Sequence, residues 1–339
     1  MRRCLELAKK GIGTTRPNPS VGAVVVHNDK IIGEGFTSAY GGSHAEVNAI
    51  NSVKDQALLK EATLYVTLEP CSHFGKTPPC SDLIIEKQIP NVVIGTIDTH
   101  SVVAGKGIEK LKKNGSNVVV GVLEEECKLH HKRFFTVQNK NRPYVILKWA
   151  ETSDGFIAPK EKENQAPVWI SNEYAKQLVH KWRAEEHAIL VGTHTVLADN
   201  PKLNVRSWTG NNPIRVVIDR SLKLDANLAV FDESVKTIVI TSLDKESIHE
   251  NLIFEKVNFK KELPKQILEV LSKHKIQSLI VEGGAVTLQS FIKDNLWDEA
   301  RVFIGNNEFK EGVKAPILNA RLEKEEIITN NILRTYIND

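Results

Sequence analysis

The feature that most limits what this chain can fold into is an alternation of strand-like and helix-like segments that runs twice, with a single polar interruption. In the first run the apolar spacing predicts a helix over 2–10 and β-rich segments over 21–27 and 30–36, around the turn residues Asn28 and Asp29. Helix 44–53, strand 63–68, helix 80–87, strand 91–97, helix 105–113 and strand 117–121 follow. A charged helix over 124–135 leads into 138–143, which has no periodic apolar residue and ends in Pro143; the domain boundary is placed there. The rhythm then restarts with strand 144–149, helix 172–182 and strands 187–191, 214–219 and 235–241. Helix 264–273, strand 278–281, helix 285–293 and strand 299–304 complete it. Alternation of this kind lays helices against the faces of a sheet. At 339 residues one core would be inefficient, so two α/β domains are expected, over 1–137 and 143–339, with no internal repeat.

Composition serves mainly to exclude. The 41% hydrophobic and 26% charged fractions are those of an ordinary folded protein. A net charge of +3, from 45 Lys and Arg against 42 Asp and Glu, offers no broad basic field for nucleic acid, so a small-molecule partner is expected. No apolar run is long enough to span a membrane and no leader pattern opens the chain, which points to the cytoplasm. The four cysteines (Cys4, Cys71, Cys80, Cys127) are too few for a disulfide scaffold, which frees Cys71 and Cys80 for metal.

The chemistry concentrates in His44-Ala45-Glu46, Pro70-Cys71 and Cys80. One imidazole and two thiolates hold a zinc ion while leaving a fourth tetrahedral position open, which is the catalytic rather than the structural pattern. Glu46 lies two residues from a ligand, so it shares the site only if His44 sits at a helix mouth; Ser43 is the expected N-cap. Cys80 stands before a helix whose dipole favours thiolate. Zinc nucleobase deaminases carry His-x-Glu and Pro-Cys-x-x-Cys, with the Glu moving the proton. Here eight residues separate Cys71 from Cys80, which argues against a nucleic-acid deaminase and places a substrate loop, 72–79, beside the metal. Any one of these residues alone reads as an ordinary core group; the set in this order does not.

With these motifs, and above all Thr67-Leu68-Glu69-Pro70-Cys71-Ser72-His73-Phe74-Gly75-Lys76-Thr77-Pro78-Pro79-Cys80, the sequence resembles the bifunctional deaminase/reductases of riboflavin biosynthesis. Pro17-Asn18-Pro19-Ser20-Val21-Gly22 is similar to that family too. The resemblance implies a cytidine-deaminase-like three-layer first domain acting on a diaminopyrimidinone ribosylamine 5′-phosphate. His44, Cys71 and Cys80 would hold zinc, Glu46 would shuttle the proton, and Asn18, His73 and Lys76 would contact substrate.

In the second half Lys148-Trp149-Ala150, Trp169-Ile170-Ser171, Thr195-Val196-Leu197-Ala198-Asp199-Asn200-Pro201 and Val281-Glu282-Gly283-Gly284 look like the family's reductase domain. That domain is similar to dihydrofolate reductase and uses NADPH to reduce a ribosyl group to ribityl. The resemblance implies Lys148, Arg183, Leu203, Arg206 and Glu282 as substrate contacts, with Arg183 and Arg206 on the phosphate. It implies Ala150, Trp169, Thr195, Asp199, Gly283 and Gly284 as cofactor contacts. Gly283-Gly284 closes a strand and opens a helix, whose first amides suit a phosphate. No G-x-G-x-x-G follows a strand, so NADPH rests on the resemblance. Pro167, Thr99-His100-Ser101 and residues 305–310 depart from the family's pattern. The rival expectation is a zinc nucleobase or nucleic-acid deaminase with a non-catalytic C-terminal domain. A homo-oligomer is expected.

Overall fold

In the computed structural model, which describes residues 1–74, 78–99, 104–162, 164–247 and 249–338, the first hairpin closes at its expected turn. Asn28 and Asp29 both adopt left-handed backbone, φ 47° and 58°, the combination that matches a two-residue turn to the twist of its strands. Around them β1 (Gly22–His27) and β2 (Lys30–Phe36) pair antiparallel, after the opening helix α1 (Arg2–Lys9). The unit continues through α2 (Ala45–Asn51), β3 (Thr63–Leu68), α3 (Cys80–Glu86), β4 (Asn91–Thr96), α4 (Lys106–Lys113), β5 (Asn117–Val120), α5 (Glu124–His130) and α6 (Lys132–Lys140). The chain divides into two units, Met1–Asn141 and Arg142–Asp339.

The first unit's sheet runs β2-β1-β3-β4-β5, with β3, β4 and β5 mutually parallel. Side chains alternate across β3: Leu64, Val66 and Leu68 face one core with Ala45, Ala49 and Ile50 of α2, Ile84 of α3 and Leu111 of α4. Tyr65 faces the other way, toward Cys4 and Leu7 of α1. Gly95 is on that second face because a Cβ there would lie 2.3 Å from the Cys127 sulfur of α5. The result is the expected three-layer arrangement. Two differences from the sequence reading stand out. The charged helix breaks at His131 and resumes, so that Gln138, Asn139 and Lys140 are helical rather than linker. And α2 is capped by His44 itself, with no side-chain bond from Ser43.

The second unit comprises β6 (Tyr144–Glu151), β7 (Phe156–Pro159), α7 (Glu173–Glu185), β8 (Ala188–Gly192), α8 (Thr193–Asp199), β9 (Ile214–Ile218), β10 (Thr237–Thr241) and β11 (Leu252–Lys256). It ends with α9 (Leu263–Lys273), β12 (Ser278–Gly283), α10 (Ala285–Lys293), β13 (Glu299–Ile304), β14 (Gly312–Lys314), β15 (Arg321–Ile328) and β16 (Asn331–Ile337). Nine strands form one sheet, β11-β10-β9-β8-β12-β6-β13-β16-β15, parallel from β11 to β13 and antiparallel beyond. The parallel strands are near-continuous apolar runs because both faces are covered. Leu268 and Leu271 of α9 and Leu288 and Phe291 of α10 pack on one face; Ala175, Val179 and Trp182 of α7 pack on the other. Buried Arg215 on β9 bonds the Lys202 carbonyl at 3.0 Å and Asp232 at 2.5 Å, tying the 200–206 segment to the sheet.

Candidate active sites

The first site lies where β3 ends and α2 and α3 begin. Gly33 and Gly35 on β2 let α2 lie directly on the strand: a Cβ on Gly35 would be 2.3 Å from Ala49 N and 2.5 Å from Ala45 O. That contact places the α2 N-terminus, with His44 as its first flanking residue and Glu46 in its first turn. Cys80 is the first residue of α3, where the predicted helix 80–87 begins, with Pro79 as its cap. Its amide donates to Cys71 Sγ at 3.3 Å, and Ser81 N donates to Cys71 O at 3.1 Å. His44 Nδ1 lies 3.6 Å from Cys71 Sγ and 3.3 Å from Cys80 Sγ, and the three ligand atoms all fall within 4.8 Å of one another.

That donor set suits zinc. Bond lengths of about 2.3 Å to sulfur and about 2.0 Å to nitrogen at tetrahedral angles separate the two atoms by about 3.5 Å. Hydrogen bonds from the Cys80 thiol, and then from His44 and the Cys80 amide, hold Cys71 below the ordinary thiol value. The same Cys71 bond, together with burial, pushes Cys80 up. Glu46 is 4% exposed and within hydrogen-bond reach of the Cys80 thiol. Burial first, and the Cys71 charge second, raise its carboxyl to about 7.

The three expected substrate contacts fare differently. Asn18 is held by its backbone in a turn closed by Thr15, and its side-chain amide bonds to no described residue. His73 is exposed, next to Phe74 at 77% exposure. Lys76 lies outside the described residues, as do His100 and Ser101. Sequence reasoning missed Glu69, whose buried carboxylate accepts four backbone amides.

The second site is an open cleft of about 1360 Å³ at the carboxyl ends of the parallel strands, where ligands bind in sheets of this kind. Lys148, Arg183, Leu203 and Glu282 line it, as do Ala150, Trp169, Thr195, Asp199, Gly283 and Gly284. Arg206 is not on this lining; its amide donates to His180 Nδ1 and its guanidinium to Asn204 Oδ1. Lys148 sits mid-strand on β6 rather than at a strand end, and burial pushes its amine below the ordinary value. Arg183, expected on a phosphate, is paired with Glu282, whose side chain is 9% exposed, at 2.7 Å. Burial pushes the Glu282 carboxyl up, but the charges of Arg183 and Lys148 outweigh this and hold it at about 2.

At the mouth of α10, Gly283 takes φ 140°, which side chains resist, and Gly284 caps the helix in extended backbone. The Thr195 hydroxyl stands 3.3 Å from where a Gly284 Cβ would be, so the two glycines leave a small polar cradle beside free helix amides, fit for a cofactor phosphate. Asp199 is ion-paired with Lys162, and Gln165 Nε2 donates to Leu197 O at 2.8 Å, joining Lys162 and Gln165 to α8. The sequence had not singled out Lys162, nor Arg220, Ser221 and Lys223, which line the cleft after β9.

Fold and site together define a two-unit enzyme, a zinc-binding deaminase joined to a reductase that takes a nicotinamide cofactor. The family model of the cytidine and deoxycytidylate deaminase zinc-binding region matches residues 1–96, and that of the RibD C-terminal domain matches 143–306. The chain is 41% identical over 336 residues to riboflavin biosynthesis protein RibD of Aquifex aeolicus, covering 96% of this chain and 92% of that one. It is 38% identical over 358 residues to RibD of Actinobacillus pleuropneumoniae, covering 99% and 94%. A crystal structure of the diaminohydroxyphosphoribosylaminopyrimidine deaminase/5-amino-6-(5-phosphoribosylamino)uracil reductase of Thermotoga maritima superposes with a TM-score of 0.91 at 38% identity, over 100% and 97% of the chains. Acinetobacter baumannii RibD does so with a TM-score of 0.89 at 32% identity, again over 100% and 97%. The chain belongs to the RibD family, the bifunctional deaminase/reductases of riboflavin biosynthesis. The rival reading, with a non-catalytic C-terminal half, gives way because the match runs through both units. Among the described residues no helix is long and apolar enough to cross a membrane.

Proposed function

We propose that residues 1–137 carry hydrolytic deamination of 2,5-diamino-6-ribosylamino-4(3H)-pyrimidinone 5′-phosphate, and 143–339 the NADPH-dependent reduction of the resulting phosphoribosylaminouracil to its ribityl form. The observation that carries the first step is buried Glu46 at the mouth of α2, beside three residues whose donor atoms are spaced for zinc. Bound zinc supplies Lewis-acid activation of water near neutral pH. Glu46 takes the proton that water releases and returns it to the departing amine, so that the ring C–NH₂ becomes C=O, one water is consumed and one ammonia leaves. Asn18, His73 and Lys76 are assigned to the substrate, the first two supported by a side-chain amide that bonds to no described residue and by an exposed imidazole.

For the second step the cleft's size supports a nucleotide and a dinucleotide together. Gly283, Gly284, Thr195, Ala150, Trp169 and Asp199 are assigned to NADPH, with Arg220 and Lys223 at the cleft wall as support for a cofactor carrying an extra phosphate. Lys148, Arg183, Leu203, Arg206 and Glu282 are assigned to the nucleotide, whose C1′ accepts the hydride. Glu282 engages Arg183, whereas Arg206, beyond the cleft lining, has its guanidinium on Asn204 and no carboxylate partner among the described residues, which supports its assignment to the phosphate. A cytoplasmic homo-oligomer completes the reading; the supports are thiols left free and exposed apolar side chains such as Ile317 and Ile327, at 82% and 79%.

A stepwise assay tests the scheme. Zinc-loaded protein given the diaminopyrimidinone nucleotide should release ammonia without cofactor, then oxidise NADPH once it is added. Glu46→Gln should lose ammonia release by at least about 100-fold and keep NADPH oxidation on supplied uracil product. Ammonia release at the wild-type rate in that variant would remove Glu46 from the mechanism.

A further inference from the structure

We propose that Glu69 is a positioning residue for the metal centre: its carboxylate locks the α4 N-terminus onto the Glu69–Pro70 backbone and thereby fixes Cys71. The proposal rests on the zinc reading of the first site. Glu69 ends the β3 side of the sheet, its own amide bonded to Thr96 O at 3.0 Å, and it is 4% exposed. Both carboxylate oxygens are used. Oε2 accepts from Asp98 N at 3.3 Å and Gly105 N at 3.0 Å; Oε1 accepts from Gly107 N at 2.9 Å and Ile108 N at 3.3 Å. Gly107 and Ile108 open α4, where first-turn amides have no partner within the helix and the dipole favours a negative charge.

A second observation is a backbone contact rather than a hydrogen bond, although a Cβ at the same position would also come within 3.1 Å of Glu69 Oε1. Gly107 lies so close to the next residue that a Cβ there would stand 2.2 Å from Pro70 O. The α4 mouth therefore grips Glu69 through hydrogen bonds and Pro70 through direct backbone contact. The next residue along the chain is Cys71, whose sulfur and carbonyl then meet Cys80 N and Ser81 N of α3. Cys71 is held between two helix mouths, and among the described residues that of α4 reaches it through Glu69 and Pro70. A carboxylate suits this joint because four donors converge on two oxygens. Glutamine would turn an NH₂ toward one pair of donors, and alanine would leave all four amides unpaired in a buried place.

The test measures zinc affinity by chelator competition, together with the visible spectrum of the cobalt-substituted protein, in wild type, Glu69→Gln, Glu69→Ala and Gly107→Ala. NADPH oxidation on the uracil substrate serves as a control for the second unit. Outer-shell substitutions of this sort cost about 10- to 100-fold in metal affinity. Glu69→Ala is expected near the upper end of that range and Glu69→Gln near the lower. Gly107→Ala, which keeps Glu69 but presses on Pro70 O and on the carboxylate, should fall between them, and the cobalt–thiolate bands should shift in all three. If Glu69→Ala leaves the first unit unfolded, Glu69→Gln and Gly107→Ala decide. A lowered melting temperature with zinc affinity within twofold of wild type and an unchanged cobalt spectrum would make the role merely structural and overturn the proposal. Failure of the wild type itself to bind zinc would instead sink the reading of the site.

Discussion

Replacing Arg183 by Met should destabilise the second unit by about 3 kcal/mol, and removing Glu282 as well should restore most of that loss. The distance of the Glu282 carboxyl from 4.5 to about 2 corresponds to about 3 kcal/mol at roughly 1.36 kcal/mol per unit. Because its value is depressed in the folded state, this contribution is fully present above the unfolded value and lost only as pH falls toward about 2. At neutral pH it is therefore all at stake. Arg183→Met leaves a buried carboxylate with Lys148 as its chief remaining counter-charge, and breaking such a pair costs about 3–5 kcal/mol. In a unit of this size that is a fall of about 6–12 °C in melting temperature. The five tryptophans, Trp149, Trp169, Trp182, Trp208 and Trp297, all lie in the second unit, so their fluorescence follows its unfolding selectively. Arg183→Met with Glu282→Gln should return to within about 1–2 kcal/mol of wild type, because both charges are gone. A single variant that melts within 2 °C of wild type, or a double variant no better than the single, would refute the electrostatic account.

Three further outcomes follow from the geometry. Gly35→Ala should reduce ammonia release by more than about 10-fold while leaving NADPH oxidation intact, because the new Cβ drives α2, and Glu46 with it, off β2. Chelation of zinc should abolish ammonia release and lower the melting temperature of the first unit by circular dichroism, with reduction of supplied uracil product unchanged. Burial first, then the charges of Arg183 and Arg206, push the His180 imidazole down to about 4 from 6.5. The unfolded chain therefore takes up a proton that the folded unit refuses, and the second unit should lose stability as pH falls from 6.5 toward 4. The slope is at most about 1.4 kcal/mol per pH unit, and His180→Gln should flatten it in tryptophan-monitored melts at pH 7 and pH 5.

What could be read in advance divides along physical lines. Strands β3 and β13 and helix α10 carry strong apolar periodicity between clear breakers, and their limits follow from it. By contrast β15 is exposed on both faces, so Arg321–Ile328 has no alternation to betray it, and β7 and β14 make a two-stranded patch too short to show a period. α8 was read as motif rather than helix because Thr193–Asp199 buries only Val196. Gln138–Lys140 looked like linker because a solvated helix end and a loop have the same composition. The candidate metal ligands were legible because each is a reactive side chain in a short motif, with His44 and Cys80 at helix mouths and Cys71 just past the end of a strand. Glu69 was not, because its partners are main-chain amides, which every residue type supplies. Nor was the pairing of Arg183 with Glu282, which depends on α7 crossing the face of β12.

The strand order of the large sheet carries a consequence for biosynthesis of the protein. β6 is among the first parts of the second unit to leave the ribosome, yet its neighbours on both sides, β12 and β13, lie at the far end of the chain. Roughly 130 residues separate Tyr144 from its partner Ser278, so at about 5–20 residues per second the apolar segment Val145–Leu147 waits about 7 to 27 seconds for either edge to be covered. The first unit has no such delay, since every strand it needs precedes Asn141. Nascent chains should thus carry a finished metal-binding unit followed by an unpaired, aggregation-prone strand. The second unit is where overexpression without chaperones, or any slowing of translation between 150 and 278, would be felt first.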